Sequence, residues 1–282
     1  MALLCVAILY GSNYNIAKIV TPEFVHPYGL VMIRVWIATA LFWIFGRFAP
    51  KEKIAVSDYK RFIMCAIFGT AGTQMLYLKG LSMTSAINAS VIMTLIPVSV
   101  LLLSVFLGFE RLNKLKWAGI IVGIIGAFFL VGGNGFQFSG ENTTGDLIIL
   151  ANTLCFALYL VSVKPLMLKY QSFTVIKWIF LIGCPLVIPF GIGEVLNTEF
   201  STFPFHVWVA LVYIIIGATF LVYLLNTYAL GKLNPSVVGF YIYLQPIVST
   251  SIAVSFGMDK LTIEKIVFSL LIFLGAFLVS RK

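Results

Sequence analysis

Two pairs of polar side chains recur along this sequence at a spacing suited to handling a small polar solute. Gln74 and Tyr77 lie three apart, which places them on one face of a helix, and Tyr223 and Asn226 repeat the pattern 149 positions later. Tyr241 and Gln245 are four apart, and Asn13, Asn15, Asn88, Asn152 and Tyr159 add further amide and phenol groups. All of them interrupt apolar runs. Polar groups are costly in hydrocarbon and face a cavity or another helix. Two readings are therefore open. The groups line a central cavity that binds a polar or zwitterionic solute, or they make interhelical hydrogen bonds, worth about 0.6 kcal/mol each on average. Lys18 and Arg34 are the cations well inside apolar runs. Both are expected toward the outer ends of adjacent helices. There they could hold a substrate carboxylate, contact loop carbonyls or snorkel to the interface.

Other chemistries lack their residues. The ten carboxylates are expected in loops or at span ends, and His26 and His206 away from mid-membrane. A buried Asp, Glu or His relay, the usual device of proton-driven carriers, thus has no evident site, which sets facilitated diffusion or exchange beside proton coupling. Cys5, Cys65, Cys155 and Cys184 are isolated within apolar runs, without metal-site spacing. No cofactor or metal is expected. A membrane-embedded enzyme, the alternative from another class, would need clustered titratable groups at membrane depth. The chain has no HExxH motif, no paired buried carboxylates and no Gly-rich nucleotide loop.

The elements that must position these groups follow from composition. Of 282 residues, 61% are hydrophobic and 10% charged, and mean hydropathy is +1.05. A soluble domain carries about 25% charged residues, so a water-facing fold would lack polar surface. Ten apolar segments are read at about 1–20, 28–46, 62–78, 84–107, 116–133, 146–163, 174–192, 205–225, 235–256 and 265–280. A bilayer leaves no water for open backbone groups, and barrel strands would alternate in polarity, so these segments are helices. Met1–Leu9 is read as the start of the first span, since it lacks the basic start of a signal peptide. The expected fold is all-α, a polytopic protein of ten transmembrane helices whose partners are the lipid bilayer and a small-molecule solute.

The net charge of +9 does not point to nucleic acid, because the basic residues sit in short connections. With the N-terminus inside, fourteen Lys and Arg fall in inner connections and three, Lys79, Lys260 and Lys265, in outer ones. The positive-inside rule then places both termini in the cytoplasm and the chain in the cell membrane.

The halves resemble each other. At an offset of 149, Pro97 meets Pro246, Gly108 meets Gly257, Glu110 and Arg111 meet Asp259 and Lys260, Lys116 meets Lys265, and Gly126–Phe128 meets Gly275–Phe277. This predicts five-helix repeats at 1–133 and 146–282 joined by an outer loop, 134–145. An odd number of spans per repeat inverts the second copy, a recurrent device of secondary transporters that work by alternating access around a central cavity. Pro97 and Pro246 are candidate hinges or fixed kinks. Gly119, Gly123 and Gly126 form a small-residue face for internal packing or a homodimer. Asn142-Thr143-Thr144 matches a glycosylation sequon in the outer loop.

Several of these residues together resemble the EamA-type branch of the drug/metabolite transporter superfamily. They are Gly11-Ser12-Asn13 with Lys18, then Arg34, then the stretch Ala86–Leu112 with its mid-span proline and Gly-x-Glu-Arg-Leu exit. Pro235–Leu261 is a weakened second copy, ending Gly257-Met258-Asp259-Lys260-Leu261. The resemblance spans essentially the whole chain. It implies ten helices around a central cavity and movement of metabolites, often amino acids or related solutes, frequently outward. A nucleotide-sugar or organophosphate exchanger of the same superfamily is the alternative, though it wants more cations at membrane depth than Lys18 and Arg34.

Overall fold

The computed structural model describes residues 2–48, 50, 52–108, 112–132, 140–230 and 243–280. Helix is the only extended regular structure among them. In chain order the α-helices are α1 (Ala2–Val20), α2 (Pro27–Phe45), α3 (Tyr59–Cys65), α4 (Thr73–Met83), α5 (Ala86–Met93), α6 (Ile96–Phe106), α7 (Lys114–Gly132), α8 (Glu141–Lys169), α9 (Ser172–Leu196), α10 (Phe205–Val212), α11 (Val222–Leu230), α12 (Leu244–Ser255) and α13 (Ile263–Ser280). Among the described residues, eight helical stretches are long and apolar enough to cross a bilayer. The α3–α4 stretch and the shorter α12 fall below that measure.

The surface is apolar where a soluble protein's would be polar. Ile121 and Ile124 on α7, Leu154 on α8, and Leu270 and Leu274 on α13 are all exposed, while Asn13, Asn15, Arg34 and Asn152 are buried. That inversion is what a hydrocarbon solvent demands.

Three helices are interrupted, each for an identifiable reason. The chain between α5 and α6 leaves the α path at Thr94 and Leu95, whose N–H groups turn back to the carbonyls of Val91 and Ile92 at 3.0 and 2.9 Å. Pro97 has no N–H to return to Met93, so it opens a new helix instead of bending an old one. Between α3 and α4, and again between α10 and α11, the helix widens into π-helical stretches, Ala66–Gly72 and Tyr213–Leu221. A hydroxyl covers a carbonyl in each. Thr73 Oγ1 donates to the Phe68 carbonyl, and Thr219 Oγ1 donates to the Ile214 carbonyl at 2.8 Å.

The 149-residue spacing recurs in the backbone. Gly108 and Gly257, that distance apart, both hold positive φ, +74° and +65°, where each helix ends. The two π-helical stretches overlap at the same offset. Packing also exchanges between halves. α1 lies against α11 and α12, whereas α8 lies against α4 and α6; α2 packs on α9 and α7 on α13.

The α7–α13 contact is glycine against glycine. A Cβ on Gly275 would stand 2.5 Å from the Gly123 nitrogen, and one on Gly126 would stand 2.9 Å from the Ile272 nitrogen. The small-residue face of α7 is therefore taken up against α13 inside the molecule.

Two further expectations change. α8 runs 29 residues, well beyond the apolar core at 146–163. It takes in the Asn142-Thr143-Thr144 sequon, which is helical, with Thr143 buried, and not part of a loop.

Candidate functional site

α1 carries polar groups along two of its faces, and the rest of the bundle closes over them. Asn13 Nδ2 donates to the Tyr77 hydroxyl at 3.0 Å, and the Tyr77 ring meets Tyr14 edge-on with centroids 5.6 Å apart. Gln74, one turn before Tyr77 on the same helix, interacts through its side chain with the Tyr223 hydroxyl. Tyr10 is within electrostatic reach of Tyr77, Tyr159 and Tyr223. The Tyr159 ring lies directly over Gly69, where a Cβ would come within 2.2 Å of it, so the π-helical stretch must be bare at that point.

Arg34 lies within electrostatic reach of this group, and its burial favours the site or carbonyl-contact alternatives over snorkelling. It is 2% exposed. Its Nε donates to Thr219 Oγ1 at 2.5 Å and its Nη2 reaches the Ala218 carbonyl at 3.5 Å, both on the second π-helical stretch. Its Nη1 is buried without a hydrogen-bond partner among the described residues. Tyr10, Tyr77 and Tyr223 are all within electrostatic reach of the guanidinium.

The other expected residues divide. Asn15 Nδ2 donates to the Ser249 carbonyl at 2.9 Å, and Asn152 Nδ2 to Met93 Sδ at 3.3 Å; both thereby tie helices together. The carbonyl oxygens of Asn13, Asn15 and Asn152 are buried without partners. Lys18 spans the C-terminal end of α4, donating to the carbonyls of Leu81 at 3.1 Å and Thr84 at 2.5 Å. Asn226 and Gln245 are half-buried, and the Gln245 backbone presses on Gly11. Pro246 lies in the first turn of α12. Tyr241, Glu110 and Arg111 fall outside the described residues.

Asn88 does something different. It donates to Asp146 Oδ2 at 2.9 Å, and the Thr84 hydroxyl donates to Oδ1 of the same carboxylate. Asp146 is 1% exposed and lies inside α8. The expectation that every carboxylate sits in a loop or at a span end fails here, because α8 begins five residues before Asp146 and the α4–α5 corner covers it. Tyr10, Tyr14, Thr84, Asp146 and Thr219 were all missed by sequence reasoning. A count of polar residues inside apolar runs would have raised the two tyrosines, but tyrosine and threonine are ordinary in such runs.

A helical bundle with an apolar exterior that encloses a cation, five tyrosines and several amides is a polytopic membrane protein. The family to which it belongs follows from comparison. The EamA-like transporter family matches residues 1–132 and 143–281, and the chain belongs to that family. An "Uncharacterized transporter" of Archaeoglobus fulgidus is 25% identical over 246 residues, 85% of this chain and 82% of that protein. A protein of Streptantibioticus cattleyicolor named "Probable terminal-alkyne amino-acid exporter" is 26% identical over 226 residues, 80% of this chain and 74% of its own length. A solved crystal structure shares the fold with a TM-score of 0.66 at 22% identity, covering 98% of this chain and 94% of that one. The protein is thus a membrane transporter and not an enzyme.

Proposed function

We propose that this chain is a secondary transporter, not driven by ATP, that moves small polar metabolites, amino acids or related solutes, outward by alternating access. The observation that carries the reading is the meeting of Asn13, Gln74, Tyr77 and Tyr223, with Arg34, between the two halves of the chain. Groups held between two halves that move against each other can bind a solute from either side. The repeats are taken as 1–133 and 146–282, joined by 134–145, with the second inverted. Counting the α3–α4 stretch and α12 as spans gives ten helices around a central cavity. Lys and Arg distribution supports a cell-membrane location with both termini cytoplasmic. The amino-acid class is supported by the name of the Streptantibioticus relative. A nucleotide sugar or organophosphate fits less well, because Lys18 is committed to two carbonyls and leaves Arg34 as the cation at the cluster.

The test is counterflow in proteoliposomes with pooled labelled amino acids and related metabolites, with and without an imposed pH gradient. Saturable counterflow independent of the gradient is expected. Accumulation that requires the gradient would replace exchange with proton coupling and direct attention to Asp146. Absence of counterflow for every pool would overturn the reading.

A further inference from the structure

We propose that Arg34 is the anchor for a carboxylate on the transported solute, which makes that solute a monocarboxylate or a zwitterion with one net acidic group at the site. The proposal rests on the transporter reading above and deepens it.

The guanidinium is permanently charged and offers five donors in a fixed fork. Here Nε and Nη2 are used on the backbone and hydroxyl of one π-helical stretch, and Nη1 is buried with nothing to bond among the described residues. Among the described residues the ion pairs are Lys169–Asp58 and Lys265–Asp259, and neither involves Arg34. A buried cation without an anion is strongly disfavoured unless something arrives to complete it.

The repeat spacing gives a second, independent argument. The residue 149 positions after Arg34 is Gly183, and the residue 149 before Thr219 is Thr70. Gly183 and Thr70 also touch, with a Cβ on Gly183 falling 2.7 Å from the Thr70 Cβ. The same helix-to-π contact is thus made twice, once by packing alone and once by a cation. The contact as such does not require a charge, so the charge at Arg34 answers to something else.

The neighbours suit a carboxylate. Tyr77 and Tyr223 can each donate a hydroxyl proton to its second oxygen. Asn13, bonded to Tyr77, holds an unpartnered carbonyl oxygen that can accept from an ammonium or hydroxyl on the same solute. A phosphate dianion would leave charge uncompensated at this one cation. Lys18 is not equivalent, because its ammonium is already held by two carbonyls.

The experiment uses the intact protein in proteoliposomes and measures inhibition of labelled amino-acid counterflow by matched competitors. These are each free amino acid, its carboxyl amide, its decarboxylated amine, its N-acetyl acid, and inorganic phosphate. Acids are expected to compete at least tenfold better than their amides and amines. Arg34→Gln should erase that preference, and Arg34→Lys, which keeps the charge but not the fork, should restore part of it. Because the readout is a ratio between competitors, poor assembly of a variant cannot imitate the result. Binding of free acids to each purified variant by thermal stabilisation covers the case where Arg34→Gln does not reconstitute. An acid preference that survives in Arg34→Gln, or counterflow carried only by amides, amines or phosphorylated solutes, would overturn the anchor and leave the transporter standing. No saturable counterflow of any solute would overturn both.

Discussion

Gly183 lies against Thr70 so closely that a methyl group on the glycine would stand 2.7 Å from the threonine Cβ. α9 is therefore seated on the first π-helical stretch with no spare room. Gly183→Ala should force the two apart at a cost of about 1–3 kcal/mol, the usual range for overpacking. A thermal-shift measurement in detergent should show a lower midpoint. Gly193→Ala is the control, since nothing lies within 4 Å of its new methyl, and it should leave the midpoint where it was. Equal midpoints for both variants would mean that α9 backs away freely.

The α7–α13 contact makes a separate prediction. Gly275→Ala places a methyl 2.5 Å from the Gly123 nitrogen, so it should destabilise the protein by a comparable or larger amount. Light scattering should report the same mass for wild type and variant. A change of mass without loss of stability would move this contact to the outside of the molecule.

Asp146 accepts from both Thr84 and Asn88 while shielded from solvent. Asp146→Ala strands both donors, and each buried unsatisfied group costs about 1–3 kcal/mol. Asp146→Asn keeps an acceptor oxygen and should be milder. A cycle with Asn88→Ala isolates the pair, and a vanishing coupling energy would show that Asn88 finds another partner.

Where the start of α3 meets the end of α8, Asp58 is held by the Lys169 ammonium and the Tyr170 hydroxyl, at 2.6 Å for the latter, and these hold its carboxyl below the usual aspartate range. A carboxyl whose folded pKa is lowered contributes stability above its unfolded value and loses it as pH falls through the folded one. Lys169 is shifted upward by the same bond, so nothing is lost on the alkaline side until lysine itself titrates. Wild type should therefore be more stable than Asp58→Asn at pH 7, with the gap closing below about pH 4. A gap that did not narrow at all as pH falls below about 4 would remove ionisation as its source.

Pro97 opens α6 after a break at Thr94–Leu95. If that break is where the half-bundle flexes, Pro97→Ala should slow counterflow while leaving half-saturation unchanged. Normal turnover would identify a fixed kink.

Much of the helix order was legible because lipid contact writes itself as continuous apolar runs. α7 and α13 fall within a few residues of the segments read at 116–133 and 265–280. α8 was cut short because hydropathy measures the apolar part of a helix: Glu141–Gly145 is helical without being apolar, and Lys164 and Pro165 read as the end of a span although the helix runs on to Lys169. Pro97 was visible, but whether a proline bends a helix or begins another depends on the turn before it. The burial of Arg34 was not legible because its partners, Thr219 and Ala218, lie nearly two hundred residues away in sequence. The amides of Asn13 and Gln74 stood out against their apolar neighbours. Asp146 did not, since it sits at the edge of a run and its burial comes from the α4–α5 corner.

Both π-helical stretches end just before the polar pairs, Ala66–Gly72 ahead of Gln74 and Tyr77, and Tyr213–Leu221 ahead of Tyr223 and Asn226. Such a stretch holds about one residue more than the α path it replaces, and one residue of α-helix is about 100° of rotation. Deleting a single codon within it would swing the following pair away from Arg34 while hydropathy, charge and every polar residue stayed the same. In an alignment of relatives, a one-residue gap at 66–72 or 213–221 would thus mark a change of cargo more sharply than a substitution among the polar side chains themselves.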